Sequence, residues 1–337
     1  MSRFEKTETA AALPGSWDSL APSYFQQREF LSYAERYNPC RQRYYTLSDG
    51  GMLRSGCVVY SLRLDLLTFL RIRSPIPMHI LGVPVGTATA GYFGEAEARD
   101  ELLDFVAGQE RGMLVILNAE PSDELKIGIR CRMLPTILFH NPFASWADYL
   151  AALRSSHRRR VLQIEHRSKE CSRIVTDCSA FTRDHHLLYR QVHDRASAKL
   201  ETLSCEFFRH LPPRFRLASY YKDGRLLSWT ITVHDGTMFM YFFGGMNYAD
   251  VRQSRSYLIG LEHIVRECIE GGYPLLDLGQ TADQPKMRFG GVSSPRDMYL
   301  THSCVLVRGL FRWSRPLLEY RGHVPAFSVF TTPAEKV

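Results

Sequence analysis

The chain of 337 residues lacks several patterns that would assign it to a class at once. No window approaches the roughly 18 uninterrupted apolar residues of a membrane-spanning helix, and the first residues, Met1–Lys6, contain no apolar secretory core. The eight cysteines include no Cys-x-x-Cys pair, and no His and Cys cluster completes a tetrahedral zinc site. These absences predict a cytoplasmic protein with free thiols, without a membrane span and without a metal centre.

Two catalytic patterns are missing as well. The chain has no Gly-x-Ser-x-Gly elbow, and nothing in it requires a paired Cys and His, so a covalent acyl-enzyme is not indicated. The net charge of +7 permits an anionic ligand such as a phosphorylated cofactor or RNA, but it does not require one.

The length favours two domains. Each half of the chain shows the coarse order helix, strands, helix and strand, and prolines near Leu134–Pro142 mark a boundary. We therefore predict an α/β fold built from two tandem domains, residues 1–140 and 141–337, each with a mixed, mostly antiparallel sheet flanked by helices.

Periodicity and turn residues predict the individual elements. The predicted helices are Phe25–Tyr37, Ala96–Gly108, Ser145–Lys169, Phe181–Ser197, Cys205–Leu211, Gln253–Glu270 and a basic helix Arg308–Arg321 interrupted at Pro316. The predicted strands are Arg43–Leu47, Gly56–Leu62, His79–Val83, Met113–Asn118, Thr136–Phe139, Arg173–Thr176, Phe215–Lys222, Leu226–Val233, Met238–Phe243 and the apolar run from Leu275.

One strand–helix–strand unit gathers polar groups at its strand ends. The first strand closes in Tyr241-Phe242-Phe243-Gly244-Gly245, and the second closes in Gly279-Gln280-Thr281. Lys286 and Arg288 follow within a few residues. Sites are commonly built at such strand ends in mixed sheets.

Two segments resemble those of FemABX-like, double-GNAT acyltransferases. The first is Trp146-x-x-Tyr149-Leu150-x-x-Leu153 with Arg158-Arg159-Arg160, and the second is Gly279-Gln280-Thr281-x4-Pro285-Lys286-x-Arg288-x-Gly290. The resemblance covers Ser145–His302, and the first domain only by architecture. It implies two tandem GNAT-like domains, the first degenerate, and transfer of an acyl or aminoacyl group to an amine. Donors in the family are coenzyme A thioesters or, in the Fem branch, aminoacyl-tRNA.

The resemblance places the donor's phosphates near Arg252–Tyr257, where this chain lacks the glycines of the usual coenzyme A loop. A helix start that carries basic and hydroxyl side chains is still a natural phosphate seat, although serine there is also an ordinary cap. The backbone after Gly244 is a candidate for facing the donor carbonyl, with a simple turn as the alternative. The predicted donor-binding residues are Gly245, Met246, Arg252, Ser254, Arg255 and Ser256.

Catalytic candidates follow from what amine acylation needs, namely a deprotonated amine, a nearby carbonyl and donors facing the oxyanion. Gln280 and Thr281 are placed to contact the reacting groups or merely to cap the next helix. Lys286 is a candidate for oxyanion or phosphate binding, and a solvated surface cation is the alternative. Asp277 lies in an apolar run, so it acts as a base with a raised pKa or, more simply, has an internal partner.

Substrate contacts are predicted for Arg288 and for the strand aromatics Tyr241, Phe243 and Trp229, with core packing as the alternative for the aromatics. The basic run His157–Arg160 with His166, Arg167 and Lys169 is a candidate RNA contact or an ordinary solvated surface.

These observations predict an acyltransferase that joins an acyl group to a small amine or amino-acid-like acceptor by direct attack. An acyl-CoA co-substrate is favoured. The alternatives are a Fem-type enzyme that uses aminoacyl-tRNA, against which the lack of a helical hairpin arm argues, and a non-catalytic binding protein on the same fold. The sequence does not determine the oligomeric state.

Overall fold

A computed structural model describes residues 2–62, 78–196, 202–250, 254–322 and 327–331. The helices are α1 Trp17–Leu20, α2 Arg28–Tyr37, α3 Ala96–Gln109, α4 Trp146–Ala152, α5 Ser155–Ser168, α6 Arg183–Arg195, α7 Cys205–Arg209, α8 Ser256–Glu270, α9 Asp283–Met287 and α10 Val305–Leu318. The strands are β1 Arg3–Thr7, β2 Arg43–Asp49, β3 Met52–Leu62, β4 Met78–Leu81, β5 Tyr92–Gly94, β6 Met113–Ala119, β7 Ile129–His140, β8 Ser172–Asp177, β9 Arg216–Lys222, β10 Arg225–Asp235, β11 Met238–Met246, β12 Leu275–Gln280 and β13 Val292–His302.

Contacts between Cα atoms divide the chain into two compact units. The first contains the described residues of Met1–Leu134, Ser197–Leu203 and Pro295–Gly322, and the second those of Pro135–Ala196, Ser204–Ser294 and His323–Val337. The sequence prediction put residues 141–337 in one domain, whereas Pro295–Gly322 belongs to the first unit. The difference arises because Asp297–His302 of β13 pair antiparallel with β6. The sequence pattern does not predict β13.

Each unit contains a mixed sheet with one parallel pair at its centre. In the first unit the strands run β1-β2-β3-β4-β6-β13, with β5 also on β3, and in the second they run β7-β12-β11-β10-β9-β8. The parallel pairs are β4 with β6 and β11 with β12, and the other pairs described here are antiparallel. The predicted α/β class with mostly antiparallel sheets is confirmed.

The second unit contains two hairpins, β9/β10 and β10/β11, and turn chemistry explains them. Arg225 pairs with Lys222 across Asp223 and Gly224, which have φ of 50° and 73°. Only the left-handed region fits this tight turn, and Asp-Gly enters it at low cost. The turn at Gly236, with φ of 59°, closes the next hairpin in the same region.

The predicted helix Ser145–Lys169 is wrong as a single element, because it is broken at Leu153. Leu153 has extended backbone (φ −68°, ψ 139°), is fully buried, and forms a β-bridge with Phe330. The Arg154 N–H donates to Val329 O at 3.0 Å. This tertiary pairing lies far away in sequence, so helical periodicity cannot reveal it.

The C-terminal helix also differs from its prediction. α10 begins at Val305, contains Pro316 within it and ends at Leu318. Proline here removes one N–H near the end of the helix, where few intrahelical bonds remain to be lost. No helix of the described residues is long and apolar enough to cross a membrane.

α8 connects the two parallel strands of the second unit and lies against their sheet. Its inward residues are aliphatic and join a core with residues of β7, α4, α5 and β12. The buried aliphatic residues of this face are Ile259, Leu261, Ile264, Val265 and Ile269. α8 therefore fixes the positions of the strand ends on either side of it.

Candidate active site

The parallel strands β11 and β12 stop pairing before either strand ends. Their ladder joins Met238–Met240 to Leu275–Asp277. Just beyond it, β11 bulges against β10, because Ile231 pairs with Phe243 and Thr232 with Tyr241. A bulge re-aims the side chains and backbone groups next to it. We call the strand ends that do not pair with each other, Tyr241–Met246 and Leu278–Gln280, the strand opening.

β12 turns away at Gly279, which has φ of +75°. A Cβ at this position would lie 3.7 Å from Tyr241 O and 4.0 Å from Lys286 Nζ. The next residues continue the unusual backbone, since Thr281 and Ala282 have φ of 65° and 51°. A β-branched residue rarely adopts this conformation, and such strain persists only where the surroundings hold it in place.

Lys286 holds this turn from inside the protein. Its side chain is buried, with the residue 2% exposed, and Nζ donates to the main-chain oxygens of Gly279 (2.9 Å), Gln280 (2.9 Å) and Thr281 (2.6 Å). An ammonium group has three donors, so these bonds use all of them. The alternative of a solvated surface cation is therefore wrong. Lys286 orders the end of β12, and its predicted direct role in catalysis stays a prediction.

Burial lowers the pKa of Lys286 to about 8, and the carboxylates of Asp277 and Asp283 oppose that change. Asp277 is itself buried. Its Oδ1 accepts hydrogen bonds from Thr136 Oγ1 at 2.6 Å and from the Gly279 N–H at 2.7 Å. These partners give Asp277 the structural role that the sequence left open beside a catalytic one.

Tyr257 interacts electrostatically with Tyr241, which lies in the strand opening, and with Tyr248 and Asp283. Burial raises the pKa of Tyr257 well above its ordinary value, and the charges of Tyr241, Asp283 and Tyr248 raise it further. Burial raises the pKa of Tyr241 as well, with smaller effects from Tyr220 and Tyr248. Asp283 Oδ1 is buried without a hydrogen-bond partner among the described residues. Both tyrosines therefore stay protonated donors at neutral pH beside a carboxylate oxygen that can accept.

Sequence reasoning missed Asp283 and Tyr248. Asp283 begins α9, where an acidic residue reads as an ordinary first-turn residue. Tyr248 follows β11 in a loop. A signal was available for Asp283, because it lies between the predicted residues Thr281 and Lys286 and is the acidic residue nearest to them in sequence.

Trp229, predicted to contact substrate, belongs to the core instead. It is 1% exposed, and its Nε1–H donates to His185 O at 2.8 Å. The indole lies where a Cβ on Gly245 would be, so that glycine makes room for the ring. Phe243 packs edge-on against Phe208 and Tyr189.

The remaining predicted site residues occupy several places. Gly244 leaves room for the Tyr241 hydroxyl. Gln280 is half-buried at the end of β12, opposite Thr136. Met246 is half-buried at the end of β11. The Arg288 guanidinium lies 5.5 Å from the Phe327 ring centroid.

The start of α8 is the predicted phosphate seat, and Arg252 of that prediction lies outside the described residues. Ser254 Oγ accepts from the Ser256 N–H at 3.2 Å. The Arg255 carbonyl accepts from the N–H groups of Leu258 and Ile259 at 2.9 and 3.1 Å. The N–H groups of Ser256, Leu258 and Ile259 at this helix start therefore already donate within the chain. Binding of a phosphate here would depend more on side-chain donors. Ser256 Oγ is buried without a hydrogen-bond partner among the described residues.

A basic surface extends from this helix start along α5, and we call it the basic face. Two adjoining depressions share Gln163 and His166 in their lining and contain no acidic residue. Residues at spacings of three and four lie on one side of a helix. The basic face consists of Arg158, Arg159, His166, Arg167 and Arg255. Arg158 also donates to Ala151 O and Leu153 O at the end of α4, so part of its role is structural.

A third depression of about 410 Å³ adjoins the basic face at Arg167 and includes Ser254. Its cations are balanced by acids, since Lys222 bonds Glu170 at 2.7 Å and Arg225 bonds Asp250 at 3.2 Å. It is therefore less suited to anions than the basic face. The described residues contain no group of His, Cys, Asp and Glu that could hold a metal ion.

A family model matches the part of the chain that contains this site. Residues 151–287 match the model described as an acetyltransferase (GNAT) domain. The match includes β11, α8, β12 and α9, and so confirms the predicted GNAT resemblance for the second unit. No curated relative matches the chain.

Solved structures show the same fold over most of the chain. FemX aligns with a TM-score of 0.56 at 11% identity, covering 92% of this chain and 100% of that one. The C-terminal domain of a protein assigned as a lysylphosphatidylglycerol synthetase, from Agrobacterium fabrum, aligns with a TM-score of 0.50 at 12% identity, covering 82% and 90%. A tandem GNAT protein from the clavulanic acid biosynthesis pathway has a TM-score of 0.49 at 11% identity, covering 89% and 98%. The likeness to FemX confirms the predicted fold class over most of the chain.

Proposed function

We propose that this protein transfers an acyl group from an activated donor to an amine at the strand opening of the second unit. The observation that carries the proposal is the end of the β11/β12 ladder at Met240 and Asp277, with the bulge of β11 directly beyond it. An extended acyl group fits between diverging strands, because backbone groups that would otherwise pair with each other become available to it.

The reacting groups of this chain are Tyr241, Tyr257 and Asp283. In the proposed step, Asp283 Oδ1 accepts a proton from the incoming ammonium group, and the amine nitrogen then attacks the acyl carbonyl carbon. A C–N bond forms, and the carbonyl oxygen gains negative charge. The backbone N–H of Met246, which faces away from β10, and a tyrosine hydroxyl are the proposed donors to that oxygen. Collapse of the intermediate breaks the bond to the leaving group, and the second proton of the amine nitrogen moves to that group, directly or through water. Asp283 then releases the first proton to solvent, which restores the carboxylate.

Protonated tyrosines suit this role and would not suit that of a base. Burial raises the pKa of both Tyr241 and Tyr257, so each keeps its proton at neutral pH and donates a hydrogen bond to a developing oxyanion. Low water access strengthens such a bond, since the effective dielectric is lower than in bulk solvent. Lys286 supports the site indirectly by holding the turn that begins at Gly279.

The donor we propose first is an acyl-CoA thioester, used as a co-substrate. The matched family model is described as an acetyltransferase domain, and Ser254, Arg255 and Ser256 at the start of α8 lie next to β11 in sequence. The acceptor we propose is a small amine or amino-acid-like molecule. Acyl-CoA thioesters are available in the cytoplasm, so the proposal includes a cytoplasmic location.

The second candidate donor is aminoacyl-tRNA, and the basic face favours it. A surface of several cations along α5 without an acidic lining residue is longer than one pyrophosphate needs. Neutralising a run of backbone phosphates with Arg side chains gives affinity that falls steeply with salt. Both donors share an anionic phosphate portion and a reactive carbonyl, so one site geometry serves either.

Direct transfer assays separate these candidates. Purified protein is given radiolabelled acetyl-CoA with a panel of amines, and separately charged tRNA with the same panel. Labelled amide from acetyl-CoA supports the first donor, and labelled amide from charged tRNA supports the second. Thermal stabilisation by CoA or by tRNA gives a second readout, because a ligand of the native state raises its stability. Stabilisation by either ligand without any transfer would instead identify a binding protein and contradict the proposal.

A further inference from the structure

α10 presents an apolar stripe to solvent. Five of the twelve large apolar side chains that are exposed among the described residues lie on this one helix. They include Leu306 (84% exposed), Leu310 (64%), Trp313 (88%) and Leu317 (62%). Spacings of four, three and four place these four residues, which we call the α10 stripe, on one side of the helix.

The stripe is not the face by which α10 is attached to the first unit. Leu318 is buried in a core with Met113, Val115, Cys131 and Leu300, and Phe311 packs against that core. Phe311 also contacts His302 at the end of β13. The helix is therefore held in place on one side while its stripe points to solvent, and burying such large side chains in an apolar phase is favourable.

Charge indicates what the stripe contacts. The helix carries Arg308, Arg312 and Arg315, and its sequence Val305–Leu318 contains no acidic residue. Arg315 pairs with Glu319 at 2.7 Å, whereas Arg308 and Arg312 are exposed. Arg312 borders the apolar arc on the side of Val305, at the angle that 100° per residue gives it. An apolar stripe bordered by an arginine, on a helix without acidic residues, complements an anionic lipid surface.

We propose that α10 docks the protein on anionic membranes, with the stripe in the interface and Arg312 against the lipid head groups. The helix has 14 residues, which is too short to span a bilayer and suits a helix lying in its surface. Trp313 has the amphipathic ring that prefers this depth. A second copy of the chain is a poorer occupant, because two-fold pairing of the same stripe brings the arginines of both copies together.

Trp313 supplies a direct readout. The chain has four tryptophans, and Trp17, Trp146 and Trp229 are 0%, 8% and 1% exposed, so a change in emission on adding vesicles reports mainly Trp313. Vesicles of equal parts phosphatidylcholine and phosphatidylglycerol are expected to shift the emission to shorter wavelength and to co-sediment the full-length protein. Vesicles of phosphatidylcholine alone are expected to do neither, and added salt to weaken binding.

Two variants separate the apolar and ionic contributions. Leu310→Ser with Trp313→Ser is expected to lower vesicle affinity at least about tenfold, since interfacial binding scales with buried apolar area. Arg312→Gln is expected to lower it about fivefold, the effect of one arginine near the surface. The matched controls are Leu187→Ser, which is 56% exposed on α6, and Arg183→Gln with Arg190→Gln on the same helix. Both controls should bind as the parent does, and circular dichroism checks that all variants fold.

Three results overturn the proposal. Equal binding to neutral vesicles removes the role of charge, and a loss of binding in the α6 controls shows that the effect is not specific to α10. The third is a concentration-dependent dimer that binds no vesicles and dissociates in the Leu310→Ser and Trp313→Ser variant, since a second copy then occupies the stripe. Transfer activity is not part of this test, so its outcome is independent of the proposed function.

Discussion

In the first unit, the parallel pair β4/β6 joins His79–Leu81 to Leu114–Ile116, and in the second, β11/β12 joins Met238–Met240 to Leu275–Asp277. Both ladders are short, and a left-handed residue follows near the end of the later strand in each: Asn118 with φ of 61° and Gly279 with φ of 75°. The strand–helix–strand arrangement is therefore similar in both units as far as the end of the parallel ladder.

Beyond that point the two units differ. In the first, Asn118 Nδ2 donates to Thr87 O at 2.9 Å and to Thr89 O at 3.4 Å. These hydrogen bonds hold the loop that contains both threonines against the end of β6. Val83 and Val85 of that loop are buried. In the second, Tyr257 interacts electrostatically with Tyr241 of the strand opening and with Tyr248 and Asp283. One strand end is closed by apolar packing, and the other keeps polar groups together, which is why we place the chemistry in the second unit.

The largest expected effect comes from Tyr257→Phe. Removing one donor to the oxyanion should lower kcat/KM about 100- to 1000-fold, with little change in the free energy of unfolding. The matched change in the first unit is Tyr45→Phe, which removes a buried hydroxyl that donates to Glu110. That variant should lose stability and keep the intrinsic transfer rate. If both variants lose activity equally after correction for folded protein, the assignment of the reaction to the second unit is wrong.

Asp283→Asn tests the proton acceptor. We expect about a 100-fold lower rate at neutral pH, because general-base assistance is lost while the shape of the side chain is retained. The rate of the variant should recover as pH rises, since the amine then loses its proton without help. A pH–rate profile of parent and variant measures this. Parallel profiles with no recovery would show that Asp283 is not the base.

Asn118→Ala tests the closed end of the first unit. Two loop carbonyls lose their donor, and Ala must adopt a left-handed conformation, so we expect the free energy of unfolding to fall by about 2 kcal/mol. Asn118→Gly keeps the backbone conformation accessible, so in urea denaturation the difference between the parent and Asn118→Gly reports the amide's contribution, and the difference between the two variants reports the backbone cost. Transfer activity of the folded fraction should be unchanged in both, and a large rate loss would mean that the first unit takes part in the reaction.

Lys286 should give the second unit a distinctive pH dependence. Its pKa is about 8 in the folded protein against 10.5 as the reference value, so between these values the unfolded state binds more protons. The free energy of unfolding therefore increases with pH across this window. Below pH 8 Lys286 is protonated in both states, so it adds no pH dependence there. Relative to Lys286→Met, the parent should gain about 1–2 kcal/mol between pH 8 and 9.5. Lys222→Met, at an exposed ion pair with Glu170, is the control that should show no such gain.

Much of the fold was predictable because local patterns agree with it. The Asp-Gly turn at Asp223 and Gly224 and the apolar runs of β10 to β12 are visible in sequence and present in the structure. The break at Leu153 and the strand β13 were not predictable, since Phe330 and β6 impose them from distant parts of the chain.

The site was predictable in position but not in roles. Glycines mark both strand ends, so Gly244 and Gly279 locate the opening. The direction of Lys286 depends on three carbonyls that converge only because Gly279, Thr281 and Ala282 have positive φ, which no periodicity encodes. Tyr257 on α8 and Asp283 on α9 interact electrostatically. That interaction depends on how the helices pack, so it could not be predicted from the sequence.

Gly279→Ala is expected to give the smallest effect among these variants. A Cβ here meets no atom closer than 3.7 Å, so the cost is conformational, and φ of +75° should make it about 1 kcal/mol of stability. Because Lys286 binds the Gly279 carbonyl, a small relaxation of the turn also displaces the residues that lead to Asp283. We therefore expect a fall in kcat/KM beyond the loss of folded protein. Gly112→Ala in the first unit, with φ of +103° and no atom within 4 Å, should cost stability without that fall, and equal rate losses in both would remove the distinction between the two strand ends.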